Sequence, residues 1–99
     1  MDKMKKYQVT IKFEMDDEFT TLIPSHRVYI NDLIEKGTID QYVVSMETQR
    51  VWITFSAETK EEVEEYLSRS PIYKYWTVEI DELFLIDGQH YRLPALQLN

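Results

Sequence analysis

Hydrophobic residues change their spacing abruptly near the start of this chain. Tyr7, Val9, Ile11, Phe13 and Met15 alternate with Gln8, Thr10, Lys12 and Glu14, the period-two pattern of a strand with one buried face. From Asp16 the apolar stripe recurs at three and four instead, through Phe19, Leu22, Ile23, His26, Ile30, Leu33 and Ile34. Gly37 then stands where a helix C-cap glycine belongs. A strand running straight into an amphipathic helix of roughly four or five turns commits the chain to layered α and β structure.

The rest of the chain extends that beginning. Thr38 to Met46 and Arg50 to Ser56 are rich in β-branched and aromatic residues around the short polar loop Glu47-Thr48-Gln49, which predicts a hairpin. Thr59 and Glu62 form a capping box ahead of Val63, Tyr66 and Leu67, and Ser70-Pro71 stops that second helix. A last strand is predicted from about Tyr73 to Ile86, with Trp76, Val78 and Ile80 on one side and Tyr75, Thr77 and Glu79 on the other. The order is β-α-β-β-α-β. Two βαβ units with right-handed crossovers interleave into one four-stranded antiparallel sheet with both helices on one face, a ferredoxin-like α+β fold. Residues 1–88 make this domain. Residues 89–99 form a tail, with Leu93, Leu96 and Leu98 spaced to pack on the domain or a partner subunit.

The open face of such a sheet must be polar or covered. Gln8, Thr10 and Lys12 are polar, but Trp52, Tyr75 and one face of Tyr42, Val44 and Met46 are not, so a second copy is the expected cover and a homodimer the expected assembly. With 99 residues the chain has room for one core and buries only about two thirds of its unfolded surface, which dimerisation would supplement.

Composition removes several function classes. A net charge of −7 repels phosphate backbones and anionic lipid, and the only basic group, Lys3, Lys5 and Lys6, is at the chain end, so neither nucleic acid nor membrane is an expected partner. No stretch approaches the roughly 20 apolar residues that cross a bilayer, and the start of the chain has no apolar signal core. Together with the absence of cysteine, this predicts a cytoplasmic protein. The two histidines lack metal-ligand spacing, and glycine is too scarce for a nucleotide loop, so no metal or cofactor is expected.

Two residues in the first helix stand out. His26 lies about 40° from Ile30 on a helical projection and so faces the sheet. An imidazole there is a hydrogen-bonded structural group, a general acid or base lining a pocket, or a metal ligand. Pro24 removes one backbone bond and crowds the carbonyl of Thr20, at about 3 kcal/mol unless the helix bends or starts there. The Asp17 to Ile23 turn is therefore expected to be angled, or the regular helix to begin near Pro24, and either opens space one turn before His26.

Arg27, at the edge of the same stripe, is either an ion-pair partner for one of the chain's many acids or an anchor for an acidic ligand. Glu35 is a solvated carboxylate or a proton acceptor, and His90, in the tail, reads as surface or interface. Tyr29, Trp52 and the other aromatics fill the core, an interface or a pocket wall. These residues suit a cofactor-independent proton-transfer enzyme for a small organic acid, with His26 moving the proton, Arg27 or Lys12 holding the anion and Tyr29 and Trp52 walling the ligand. They equally suit a non-catalytic binding module, or a protein whose assembly is its function.

The segments IPSHRVYINDLIEKGTI and YLSRSPIYKYWTVEIDEL resemble the muconolactone isomerase-like family, within the dimeric α+β barrel superfamily that includes YciI-like proteins and small cofactor-independent monooxygenases. The likeness spans nearly all of residues 5–86. It lies in element order, in a first helix ending Glu35-Lys36-Gly37 and in a last strand opening Ser70-Pro71-Ile72-Tyr73. It implies a dimer whose two sheets form a barrel, with a small-molecule pocket between each sheet and its helices. In muconolactone isomerases that pocket moves a proton on an unsaturated lactone without metal or organic cofactor. This chain departs from the degradative isomerases in carrying Pro24-Ser25-His26-Arg27 in the first helix and in its extended tail.

Overall fold

A computed structural model describes residues 4–88; the tail with His90 lies outside the described residues. The opening alternation becomes strand β1 (Lys5–Phe13), with Tyr7, Val9, Ile11 and Phe13 buried. Asp16 caps the following helix, α1 (Asp17–Glu35), by accepting from the Phe19 amide at 2.9 Å, and Asp17 and Glu18 complement the positive end of its dipole. The helix ends in a Schellman motif: Gly37, at φ 82°, donates to the Ile34 carbonyl and Thr38 to that of Leu33. A left-handed residue is required there, and glycine adopts it without steric cost.

Strands β2 (Ile39–Ser45) and β3 (Arg50–Ala57) form the predicted hairpin, and helix α2 (Lys60–Ser68) follows. Thr59 caps α2 by accepting from the Glu62 amide, whereas Glu62 reaches back to the Glu58 amide, one residue beyond a standard capping box. A 3-10 turn at Tyr73–Tyr75 precedes β4 (Trp76–Glu82), which is shorter at both ends than the sequence predicts. The sheet order is β2-β3-β1-β4 and every neighbouring pair is antiparallel. β1 and β2 are thus parallel strands flanking β3, and β3 and β4 flank β1, each pair joined through a helix: the ferredoxin-like α+β fold. Val9, Ile11, Ile53 and Val63 have no exposed surface, and they share one core with Phe19, Ile30 and Leu33 of α1 and Leu67 of α2. Burying each such side chain contributes about 1.5–3 kcal/mol, so this single layer interface supplies most of the driving force.

Three expectations need correction. Helix α1 begins at Asp17 and not near Pro24, which removes one of the two arrangements expected there, and Pro24 lies within the helix, exposed on the side away from the sheet. Tyr75 is not on the open sheet face; it belongs to the 3-10 turn and meets Phe19 edge-on, with ring centroids 5.1 Å apart.

The third correction concerns β2. Ile39 pairs with Phe55 but Gln41 with Thr54, so Asp40 is an extra residue, a β-bulge. After it, Tyr42 is opposite Ile53 and Val44 opposite Val51, which turns both toward the helices rather than toward the open face. Of the apolar residues expected on that face only Trp52 remains, joined there by its cross-strand neighbour Val43; Gln8 and Thr54 are hydrogen bonded beside them. Asp40 itself is tied down by Lys6 Nζ at 2.7 Å and by Ser56 Oγ at 3.3 Å, and Lys6 also donates to Ser56 at 2.7 Å.

Removing the carboxylate in an Asp40→Ala variant should lower stability by about 1–2 kcal/mol, because it strands a charge-assisted network on two strands. Asp32→Ala, which breaks only the exposed Asp32–Lys36 pair within α1, should change it by no more than about 0.5 kcal/mol. Urea titrations of the two variants make the comparison.

Candidate functional site

One end of the sheet is left uncovered by α2, and there the first half of α1 bridges the strands. The gap between them is a half-open cavity of about 340 Å³. Phe13, Val44 and Val51 form its floor, and Phe19, Thr20 and Ile23 of α1 its roof. Ile72 and Trp76 close one side, and Met15 and Met46, both well exposed, stand at the rim. The walls are almost wholly carbon. Thr20 and Ile23 are the residues around Pro24, and the Thr20 carbonyl has no proline N–H to accept from, so the cavity does open where the proline was expected to make room.

The polar side of the cavity is made by His26, Arg27 and Tyr42. His26 is 1% exposed. Its Nδ1 is 2.8 Å from Ser70 Oγ, beyond the end of α2, and its Nε2 is 2.7 Å from Tyr42 Oη on β2. Trp76 meets its ring edge-on at 5.6 Å, with an indole Nε1 that is buried and without an acceptor among the described residues. Both imidazole nitrogens are therefore satisfied by hydroxyls, which is what makes a histidine tolerable on an apolar helix face. Burial, and secondarily the Arg27 charge, lower its pKa from 6.5 to about 4, so the ring is neutral at pH 7.

Arg27 extends along the rim with Cζ 5.4 Å from the centre of the Tyr42 ring. It makes no ion pair with a carboxylate among the described residues, although Lys5, Lys6, Lys36, Arg69 and Lys74 each find one. Burial raises the Tyr42 pKa, and Arg27 partly counters it, leaving Tyr42 a phenol at neutral pH.

Of the residues singled out from the sequence, His26 and Arg27 meet in this cavity and the others do not. The Tyr29 hydroxyl donates to the Tyr66 carbonyl at 2.6 Å, which ties α1 to α2. Lys12 and Trp52 are on the opposite face of the sheet, Trp52 in a shallow depression with Gln8 and Gln41, and Lys12 in others beside Thr77. Glu35 is exposed at the end of α1. Sequence reasoning missed Ser70, and it placed Tyr42 and Trp76 only among the aromatics able to wall a pocket, without a polar role for Tyr42. For Tyr42 a signal existed: Ile39 and Tyr42 are three apart in a strand that otherwise alternates by two, the mark of an inserted residue.

Comparison with models of known protein families and with curated proteins finds no match. Among the described residues no group of three or more acidic or histidine side chains is placed to hold a metal, and no helix is long and apolar enough to cross a membrane.

The neutral, buried His26 has a consequence for stability. Because its folded pKa is below its unfolded one, the unfolded chain takes up the proton first, and stability present above about pH 6.5 is lost as pH falls toward 4. Between about pH 7.5 and about pH 5 the wild type should lose about 2 kcal/mol from this group. A His26→Gln variant, uncharged throughout, should lack that component, as urea unfolding at the two pH values would measure.

Proposed function

We propose that this protein binds a small, mainly apolar organic acid, with its hydrocarbon body in the cavity and its carboxylate at the rim on Arg27. The observation that carries this reading is the Arg27 guanidinium, which stands against Tyr42 at the mouth of a carbon-lined cavity without a carboxylate partner among the described residues, in a chain of net charge −7. A volume of about 340 Å³ corresponds to roughly eleven water molecules at about 30 Å³ each, room for a ligand of about that many heavy atoms. Cavities of this size and lining, with a few convergent polar groups, are the usual form of small-molecule sites.

Titration with a panel of aromatic and aliphatic carboxylates and their neutral amides, watched through the His26 ring-proton resonances, tests it. An acid that binds should lose about tenfold in affinity in Arg27→Gln, some 1.4 kcal/mol, while its amide should bind both forms alike. A panel in which no acid moves those resonances overturns the reading.

A second reading adds chemistry: cofactor-independent isomerisation by proton transfer, as in the muconolactone isomerase-like proteins that the sequence resembles. It is favoured by the 2.7 Å contact between His26 and a phenol on the cavity wall, which links a titratable ring to a group that can exchange protons with a ligand. Turnover of an unsaturated lactone or enol acid, abolished in His26→Ala, is the expected result, and a His26→Ala protein as active as the wild type overturns it.

The resemblance also supports pairing of two copies through the open sheet faces, where Trp52 and the 40% exposed Val43 form an apolar spot. Light scattering at micromolar concentration should then report a dimer, and a monomer would remove this part of the proposal.

A further inference from the structure

The hydrogen-bond chain behind the cavity wall has a direction that can be read from its own partners. Ser70 Oγ already accepts from the Ile72 amide at 3.2 Å, and Ser70 is only 6% exposed. A serine oxygen can accept twice, but its single proton must also find an acceptor when buried. The acceptor within reach is His26 Nδ1, at 2.8 Å. If Nδ1 carried the imidazole proton instead, Ser70 would accept from both sides, and its own proton would face no acceptor among the described residues. The neutral ring therefore holds its proton on Nε2, which donates to Tyr42 Oη at 2.7 Å. Tyr42 has then accepted from within, and its own O–H is free for the one open direction, the cavity.

We propose that Tyr42, rather than His26, is the donor that meets the bound ligand, and that Ser70 is a positioning residue that makes it so by fixing the His26 tautomer. The Tyr42 contact rests on the ligand reading above; the tautomer does not. Arg27, over the face of the same phenol, places a second donor-only group beside it. The polar corner thus offers protons and asks for lone pairs, which selects a carboxylate or carbonyl oxygen over an amine or an alcohol that needs an acceptor.

Two-bond ¹H–¹⁵N correlation spectra of the full chain at neutral pH distinguish a protonated ring nitrogen from a bare one. The expected result is His26 protonated at Nε2 and bare at Nδ1, a mixture of the two forms in Ser70→Ala, and the wild-type form restored in Ser70→Thr. Protonated Nδ1 in the wild type, or an unchanged tautomer in Ser70→Ala, overturns the positioning role, since a merely structural serine would move stability and not the tautomer. Benzoate and octanoate serve as ligand probes. Each that binds should do so at least about fivefold more weakly in Tyr42→Phe at matched urea midpoints, and equal binding overturns the contact. If neither probe binds, the ligand contact falls with the ligand reading, and the tautomer result stands separately.

Discussion

One extra residue in β2 decides what this domain can do. Strand side chains alternate with a period of two, so inserting Asp40 exchanges the faces of everything that follows in β2. Without the bulge, Gln41 and Val43 would point at the helices and Tyr42 and Val44 at the open face. With it, Tyr42 reaches His26, Val44 joins the cavity floor and the polar Gln41 goes outward. A bulge disrupts the local ladder, and here the disruption is offset by the side chain of the inserted residue, which gathers Lys6 of β1 and Ser56 of β3. A change that looks local in the sequence therefore sets the chemistry of a site built from four other elements.

The second constraint is the cost of a polar group in a small core. A buried imidazole with a single partner would weaken a domain of this size substantially, since a lost buried hydrogen bond costs about 1–3 kcal/mol against a net stability of about 5–15 kcal/mol. His26 escapes that cost by drawing in β2, the outer strand of the hairpin, through Tyr42 and the end of α2 through Ser70. The histidine thereby pins α1 to both and stands on the polar side of the cavity. Under the proposed reading structural and functional roles are not alternatives: the two hydroxyls that hold the ring in place also aim the site's protons.

Much of the fold was legible in the sequence because it follows from local rules. The period-two run from Tyr7 to Phe13, the three-and-four stripe from Phe19 to Leu33, the capping residues Asp16 and Thr59 and the left-handed Gly37 each act within a few residues. Pro24 shows where such rules stop. Local rules allow a helix to begin at a proline, but in this chain burial of Phe19 and His26 against the sheet holds the turns on either side, and the helix begins well before it.

By itself the sequence determined the order of elements and the inward direction of His26, because helical and strand periodicity are properties of neighbouring positions. Only the tertiary structure decided that Lys12 and Trp52 belong to the far face, that Tyr29 ties the helices together, and that Tyr42 and Ser70 complete the site. Those outcomes depend on register and on contacts across 16 and 44 residues of chain, distances at which pairing is set by which arrangement gives the buried imidazole its two partners.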